Sequence, residues 1–266
     1  MEMRASAPAR ACVVWLHGFG VSYDLPQCVR VGRELAARGI SFVAGNLRGH
    51  DGAGTGWRYR GDSIRLVRTG GWYEVFEDSD MDVQAWITHA ETLGAARLVL
   101  VGHSFGALHA VHHLSTSGDE RVDALVLASP SFGLRHLEAE VAAVAKKMVT
   151  AGQGQELLPE GSWQRGFGTR TVSAQTYVSW ARVAPRLVSG PETMFADIRC
   201  PLFVYYGTSD DIGGQAEVDF ISERATSARS FEHSLLPGVT HGYIGAETTV
   251  ASQISDWVDS LARASD

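Results

Sequence analysis

The pentapeptide Gly102-His103-Ser104-Phe105-Gly106 follows an apolar run at 97–101 and opens an amphipathic stretch at 105–117. It is a GxSxG pattern between a predicted strand and a predicted helix. A turn this sharp strains the serine backbone and exposes its hydroxyl, while the flanking glycines remove side chains that would clash. The alternative, a glycine-rich strand end whose serine caps the helix, asks nothing of the hydroxyl. As a nucleophile the serine needs a base. Of ten histidines, His241 alone lies in a loop (Pro237-Gly238-Val239-Thr240-His241-Gly242-Tyr243) between the last predicted strand and the last predicted helix. An acid to orient it should hang from the end of the preceding strand, where Gly207-Thr208-Ser209-Asp210-Asp211 follows the run 202–206. Three residues beyond the strand-ending Gly207 stands Asp210, favoured over Asp211, which is then solvated or caps the next helix. The segment His17-Gly18-Phe19-Gly20 ends the first predicted strand. The backbone amides of Phe19 and Phe105 can together hold the oxyanion of a tetrahedral intermediate, with His17 as a structural residue. The chemistry implied is acyl transfer through a serine ester.

Strands ending at these points must position the groups. Apolar runs at 11–16, 41–45, 97–101, 124–128, 202–206 and 230–235 alternate with amphipathic stretches at 25–38, 75–93, 105–117, 215–227 and 247–263. Uninterrupted runs predict strands buried on both faces, in a parallel sheet covered by helices. The acids Glu74, Glu77, Asp78, Asp80 and Asp82 fall at the start of the second helix, where the helix dipole favours negative charge. Two stretches break the alternation. Residues 49–71 form a glycine-rich loop with Arg58, Arg60, Arg65 and Arg68 beside Trp57, Tyr59 and Trp72. It is expected either to meet an anionic part of a ligand or to be a solvated, ion-paired surface loop. Residues 131–197 read as an inserted cap, carrying a helical piece at 137–150 and an amphipathic one around Tyr177, Trp180 and Val183.

His17-Gly18, Asn46-Leu47-Arg48-Gly49-His50, the GHSFG turn, Asp210 and the Gly238-Val239-Thr240-His241-Gly242 loop resemble, in this order, the α/β-hydrolase superfamily. More narrowly, residues 73–78 (Tyr-Glu-Val-Phe-Glu-Asp) and 151–159 resemble a group of bacterial hydrolases related to fungal siderophore esterases. The resemblance implies an α/β-hydrolase core at 1–130 and 198–266 with a helical cap at 131–197, and serine-dependent cleavage of an ester or related acyl bond. It also implies Ser104, Asp210 and His241 as catalytic residues, and it argues against the dehalogenases and epoxide hydrolases of this fold, whose nucleophile is an aspartate. Only ten residues precede Ala11, so the superfamily's N-terminal hairpin should be absent or replaced, leaving about six parallel strands. Candidates for the substrate pocket are His103, Arg58, Arg60, Phe132, Trp180 and Tyr243, with Tyr177 and Phe167 as further aromatic residues of the cap.

Composition excludes other classes. With 266 residues, 45% hydrophobic and 20% charged, the chain can bury a core without disulfides or a structural metal. Its net charge of −7 argues against a dedicated nucleic-acid surface, and no apolar stretch is long enough to span a bilayer. Cys12, Cys28 and Cys200 are scattered, without metal or disulfide spacing, and the apolar run after residue 10 is too short for a signal peptide; a cytoplasmic protein is expected. His109 and His113 stand four apart but lack the glutamate of a zinc-protease helix, so neither a metal nor a cofactor is expected. The expected partner is a small acyl substrate, not a nucleic acid or membrane. Two alternatives remain: an acyltransferase or cyclase using the same acyl-enzyme, and a non-catalytic ligand-binding protein on this fold.

Overall fold

The structure, a computed structural model, describes residues 1–6, 8–159 and 171–263, the side chains of Arg60 and Ala262 excepted. Six parallel strands form the sheet in the order β3 (Ile40–Ala44), β2 (Ala11–Leu16), β6 (Leu98–His103), β7 (Ala124–Ala128), β8 (Leu202–Gly207), β9 (Phe231–Leu236). Beside them, in place of the superfamily's N-terminal hairpin, a two-residue strand, β1 (Glu2–Met3), pairs antiparallel with β3. The Met1 amino group fixes it by donating to the Ala44 carbonyl at 2.6 Å.

Alternate side chains of β2 divide between two cores, as the period of two requires. Val13 and Trp15 pack with Cys28, Val31 and Leu35 of α1 (Pro26–Ala37) and with Val250, Ile254 and Trp257 of α7 (Glu247–Arg263). Cys12, Val14 and Leu16 face α2 (Ser79–Glu91), α3 (Phe105–Ser117) and α6 (Gln215–Ser222). Burying each such aliphatic side chain stabilises the fold by roughly 1.5–3 kcal/mol. β9 departs from the expected pattern. It is the open edge of the sheet, and Glu232, His233 and Leu235 are exposed along it.

The described residues of 131–197, between β7 and β8, include two packed helices, α4 (Ala139–Thr150) and α5 (Ala174–Ala184), with short helical turns at 133–136, 185–189 and 194–197. Ser173 caps α5 by accepting from the Thr176 amide at 3.2 Å, and Tyr177, Trp180, Leu187 and Phe195 join the core beneath. The stretch 49–71 is not the irregular loop expected. It contains a hairpin, β4 (Gly54–Arg60) and β5 (Ser63–Thr69), that forms a two-stranded sheet of its own. Among the described residues no helix is long and apolar enough to cross a membrane.

Candidate active site

The end of β6 passes through Ser104 into α3 with φ 56° and ψ −120°, a left-handed conformation that a non-glycine residue adopts only when its surroundings impose it. They do so by close packing. A Cβ on Gly106 would stand 2.5 Å from the carbonyl oxygens of Leu16 and His17, and one on Gly102 2.5 Å from the Ala107 Cα. The Ser104 amide donates to Ala128 O at 2.9 Å, and the Ser104 carbonyl accepts from the Ser131 amide at 3.1 Å. The serine is thereby clasped between the ends of β2 and β7.

His241 Nε2 lies 2.9 Å from Ser104 Oγ, and His241 Nδ1 lies 3.1 Å from each carboxylate oxygen of Asp210. Asp210 Oδ1 also accepts from the Ile212 amide at 2.9 Å. Burial pushes the Asp210 carboxyl up, but the hydrogen bond and charge of His241 and the Ile212 amide outweigh it and hold its pKa below the ordinary value. Asp211 is exposed. With Nδ1–H donated to Asp210, His241 Nε2 is left as an acceptor facing the serine hydroxyl, the arrangement a general base needs.

His17 Nδ1 donates to the Gly18 carbonyl at 2.8 Å, while its Nε2 accepts from the Leu47 amide at 3.0 Å. Burial lowers its pKa to about 4, so the neutral ring ties the loop after β2 to the loop after β3. The loop after β2 reaches Ser104: a Cβ on Gly18 would lie 3.0 Å from Ser104 Cβ. Phe105 is the first residue of α3, where an amide has no intrahelical acceptor and the helix dipole favours negative charge. The Phe19 and Phe105 rings meet edge to face at 5.7 Å, and Trp180 of α5 packs on both, at 5.4 and 5.7 Å.

The structure thus brings Ser104, His241, Asp210 and the segments of Phe19 and Phe105 together. Of the expected pocket residues, Trp180, Phe132, Tyr243 and His103 are buried. Trp180 is fully buried and donates from Nε1 to Glu74 Oε1 at 3.2 Å. Phe132 lies between Phe195, Phe220 and the Arg135 guanidinium, which sits 4.2 Å from its ring centroid. Tyr243 packs inside against Tyr205 and His103. His103 Nε2 donates to the His241 carbonyl at 3.0 Å, and its ring lies 5.0 Å from the His241 ring. Burial, then the nearby His241, lowers the pKa of His103 to about 3, so it holds the His241 loop as a neutral ring. Arg58 borders a groove of about 860 Å³ with Trp57, Tyr59, Tyr73, Gln155 and Glu156, and none of Ser104, Asp210 and His241 borders it. The Arg60 side chain and Phe167 lie outside the described residues.

The acids at 74–82 do more than satisfy a helix dipole. Asp82 takes the Arg48 guanidinium in a bidentate pair at 2.8 and 2.9 Å, Asp80 accepts from His113 at 2.6 Å, and Glu77 bonds Ser179 and Arg182 of α5 at 2.6 and 2.5 Å. They fasten the neighbouring loop and the insertion to the core. Glu74 precedes the helix and is buried, with its pKa pushed up to about 8 by burial, so at neutral pH its carboxyl is largely protonated. The sequence places Glu74 only among the helix-start acids, because its partner Trp180 is 106 positions away. His109 Nδ1 is engaged by Ser79 Oγ at 2.7 Å, and among the described residues no group of three or more metal-ligating side chains forms.

Ser104 is 2% exposed, whereas the His241 side chain keeps 21% of its surface, so the imidazole is more open to solvent than the serine. The model of the Alpha/beta hydrolase family matches residues 13–252. Similar solved structures include a highly thermostable carboxyl esterase from Bacillus coagulans (TM-score 0.73, 16% identity, covering 97% of this chain and 92% of that one). A monoacylglycerol lipase of Paleococcus ferrophilus (0.66, 17%, 98% and 97%) and Est1E of Butyrivibrio proteoclasticus with bound ferulic acid (0.63, 16%, 97% and 92%) are similar too. At these identities the likeness concerns the fold. No protein of curated function gives a significant sequence match.

Proposed function

Because the chain belongs to the alpha/beta hydrolase family, we propose that it is a serine hydrolase cleaving a carboxylic ester, thioester or lactone of a small organic molecule through an acyl-enzyme. The observation that carries this reading is the continuous chain of hydrogen bonds from Ser104 Oγ through His241 to Asp210. Ser104 Oγ attacks the carbonyl carbon as His241 Nε2 takes its proton, and the imidazolium that forms is stabilised by Asp210. The carbonyl oxygen becomes an anion held by the Phe19 and Phe105 amides, each such donor being worth about 3 kcal/mol in the transition state. His241 passes its proton to the leaving group. It then removes one from water, whose oxygen attacks the acyl carbon; as the acyl–oxygen bond breaks and the acid leaves, His241 returns that proton to Ser104 Oγ. No step requires a cofactor. Residues 131–197 act as the cap, with Trp180 backing the two phenylalanines whose amides hold the oxyanion. The resemblance of 73–78 and 151–159 to the siderophore-esterase relatives also supports an ester-type bond. The near-complete enclosure of Ser104 favours a second reading, in which an alcohol or amine resolves the acyl-enzyme in place of water.

A fluorophosphonate probe tests the reading. Wild-type protein is expected to label covalently and Ser104→Ala not at all, with turnover on a panel of acyl esters, thioesters and lactones lost in the variant. Folded wild-type protein that does not label would overturn it. Added nucleophiles that compete with hydrolysis would move the assignment to transfer.

A further inference from the structure

The β4–β5 hairpin presents a physical anomaly. Its register places Trp57 opposite Leu66 and Tyr59 opposite Ile64, so all four side chains stand on one face, and they are 57–69% exposed. Arg58 and Arg65 oppose each other on the other face. The arm is anchored at its base, where Arg68 donates to the Gln155 carbonyl at 2.7 Å. A two-stranded hairpin alone is marginal in water and normally needs a further strand or layer against its apolar face. Four large apolar side chains side by side are costly to leave in water, and two free edges invite pairing.

We propose that the arm is a dimerisation element: two copies of this chain pack arm on arm about a two-fold axis, so that Trp57, Tyr59, Ile64 and Leu66 of each cover the same residues of the other. Two observations select a second copy as the occupant. The face is self-complementary, because cross-strand apolar pairs meet their own kind across a two-fold axis while Arg58 and Arg65 lie on the far side, away from those of the other copy. The area also suffices. With aromatic side chains at 150–250 Å² each, the exposed parts of the four residues amount to about 500 Å² per copy. Two copies then bury about 1,000 Å², where specific interfaces begin, and the groove walls add to it.

The inference is independent of the hydrolase reading and is tested by the mass of the native chain in solution. Sedimentation equilibrium from about 1 to 100 µM is expected to show a dimer. The double variant Trp57→Ser, Leu66→Ser is expected to raise the dissociation constant by roughly 100-fold or more, and Ile64→Glu to do the same by burying a charge. Circular dichroism and thermal unfolding of each variant report whether it has folded. A wild-type chain that is monomeric throughout the range overturns the proposal, as does a dimer that persists in both folded variants. Monomeric protein that pelleted with phosphatidylglycerol vesicles would give the face to a lipid surface instead and would equally overturn it.

Discussion

The chain turns with nearly the same backbone angle at two places, φ 56° at Ser104 and φ 57° at Gly61, and everything around the two turns differs. At Ser104 a non-glycine residue is forced into the left-handed region by packing against the ends of β2 and β7. Gly61, at the tip of the arm, takes the same angle without strain, and a side chain there would meet nothing within 4 Å. One turn is over-determined and buried, the other free and exposed. The constrained turn is the one whose hydroxyl meets His241 Nε2 at 2.9 Å. The arm carries instead the apolar surface that the core has no use for.

The largest effect should come from the acid behind the base. Asp210→Asn keeps the shape but removes the charge that fixes the His241 tautomer and supports the imidazolium, so kcat is expected to fall by about 10,000-fold. Asp211→Asn, one residue along and exposed, should change kcat by less than about 2-fold. Steady-state kinetics on any substrate found by the labelling experiment separate the two. Equal losses would mean that Asp210 is not specially placed, and the rigidity of this region would then lack a catalytic purpose.

The next effect separates the two turns directly. Gly106→Ala puts a methyl 2.5 Å from two backbone carbonyls, and neither strand end can retreat; the variant should lose about 3 kcal/mol or more of stability, or fail to accumulate. Gly61→Ala places its methyl in open space and bears only the cost of a positive φ, about 1 kcal/mol. Thermal unfolding compares them. Similar losses would show that the arm turn is as constrained as the elbow.

The same contrast explains what could be read from residue types alone. The elbow, the His241 loop and Asp210 are local signals: each stands at a strand end whose apolar run is continuous, so position along the chain predicts position in space. The hairpin was also written locally, since Trp57 and Tyr59 alternate with Arg58, and Ile64 and Leu66 with Arg65, around Gly61-Asp62, which is a period of two across a tight turn. Its glycines and its exposed apolar face concealed it, because an alternating strand is expected to bury one side. β1, two residues long, is below the length at which any pattern exists. The segment 230–235 has only Phe231 and Leu235 as apolar residues, so Glu232 and His233 within it already point to the edge position that strand order gives it, against the buried run expected. Trp180 illustrates the deepest limit. Nothing near residue 180 indicates that its indole N–H will meet a carboxyl from residue 74.

Glu74 lies on the border between the two regions: it borders the groove beside the arm and, through Trp180, backs the Phe19 and Phe105 rings. Its folded-state pKa is raised to about 8, chiefly by burial, against an ordinary value of 4.5. For an acid so raised, the folded chain binds more protons than the unfolded chain between these two values. Stability is therefore lost progressively as pH rises from about 4.5 to about 8, and the loss is complete above the upper value. Glu74→Gln keeps an oxygen to accept the Trp180 N–H while removing the titration. The variant should be more stable than wild type at pH 9, by on the order of 2–3 kcal/mol after allowance for relaxation around a charged Glu74. Near pH 5 the difference should nearly vanish, since wild-type Glu74 is then neutral in the fold. Urea denaturation of both proteins at pH 5, 7 and 9 measures the slope. Parallel curves would show that Glu74 ionises freely in the fold and that the contact between the insertion and the core is as open to water as the arm.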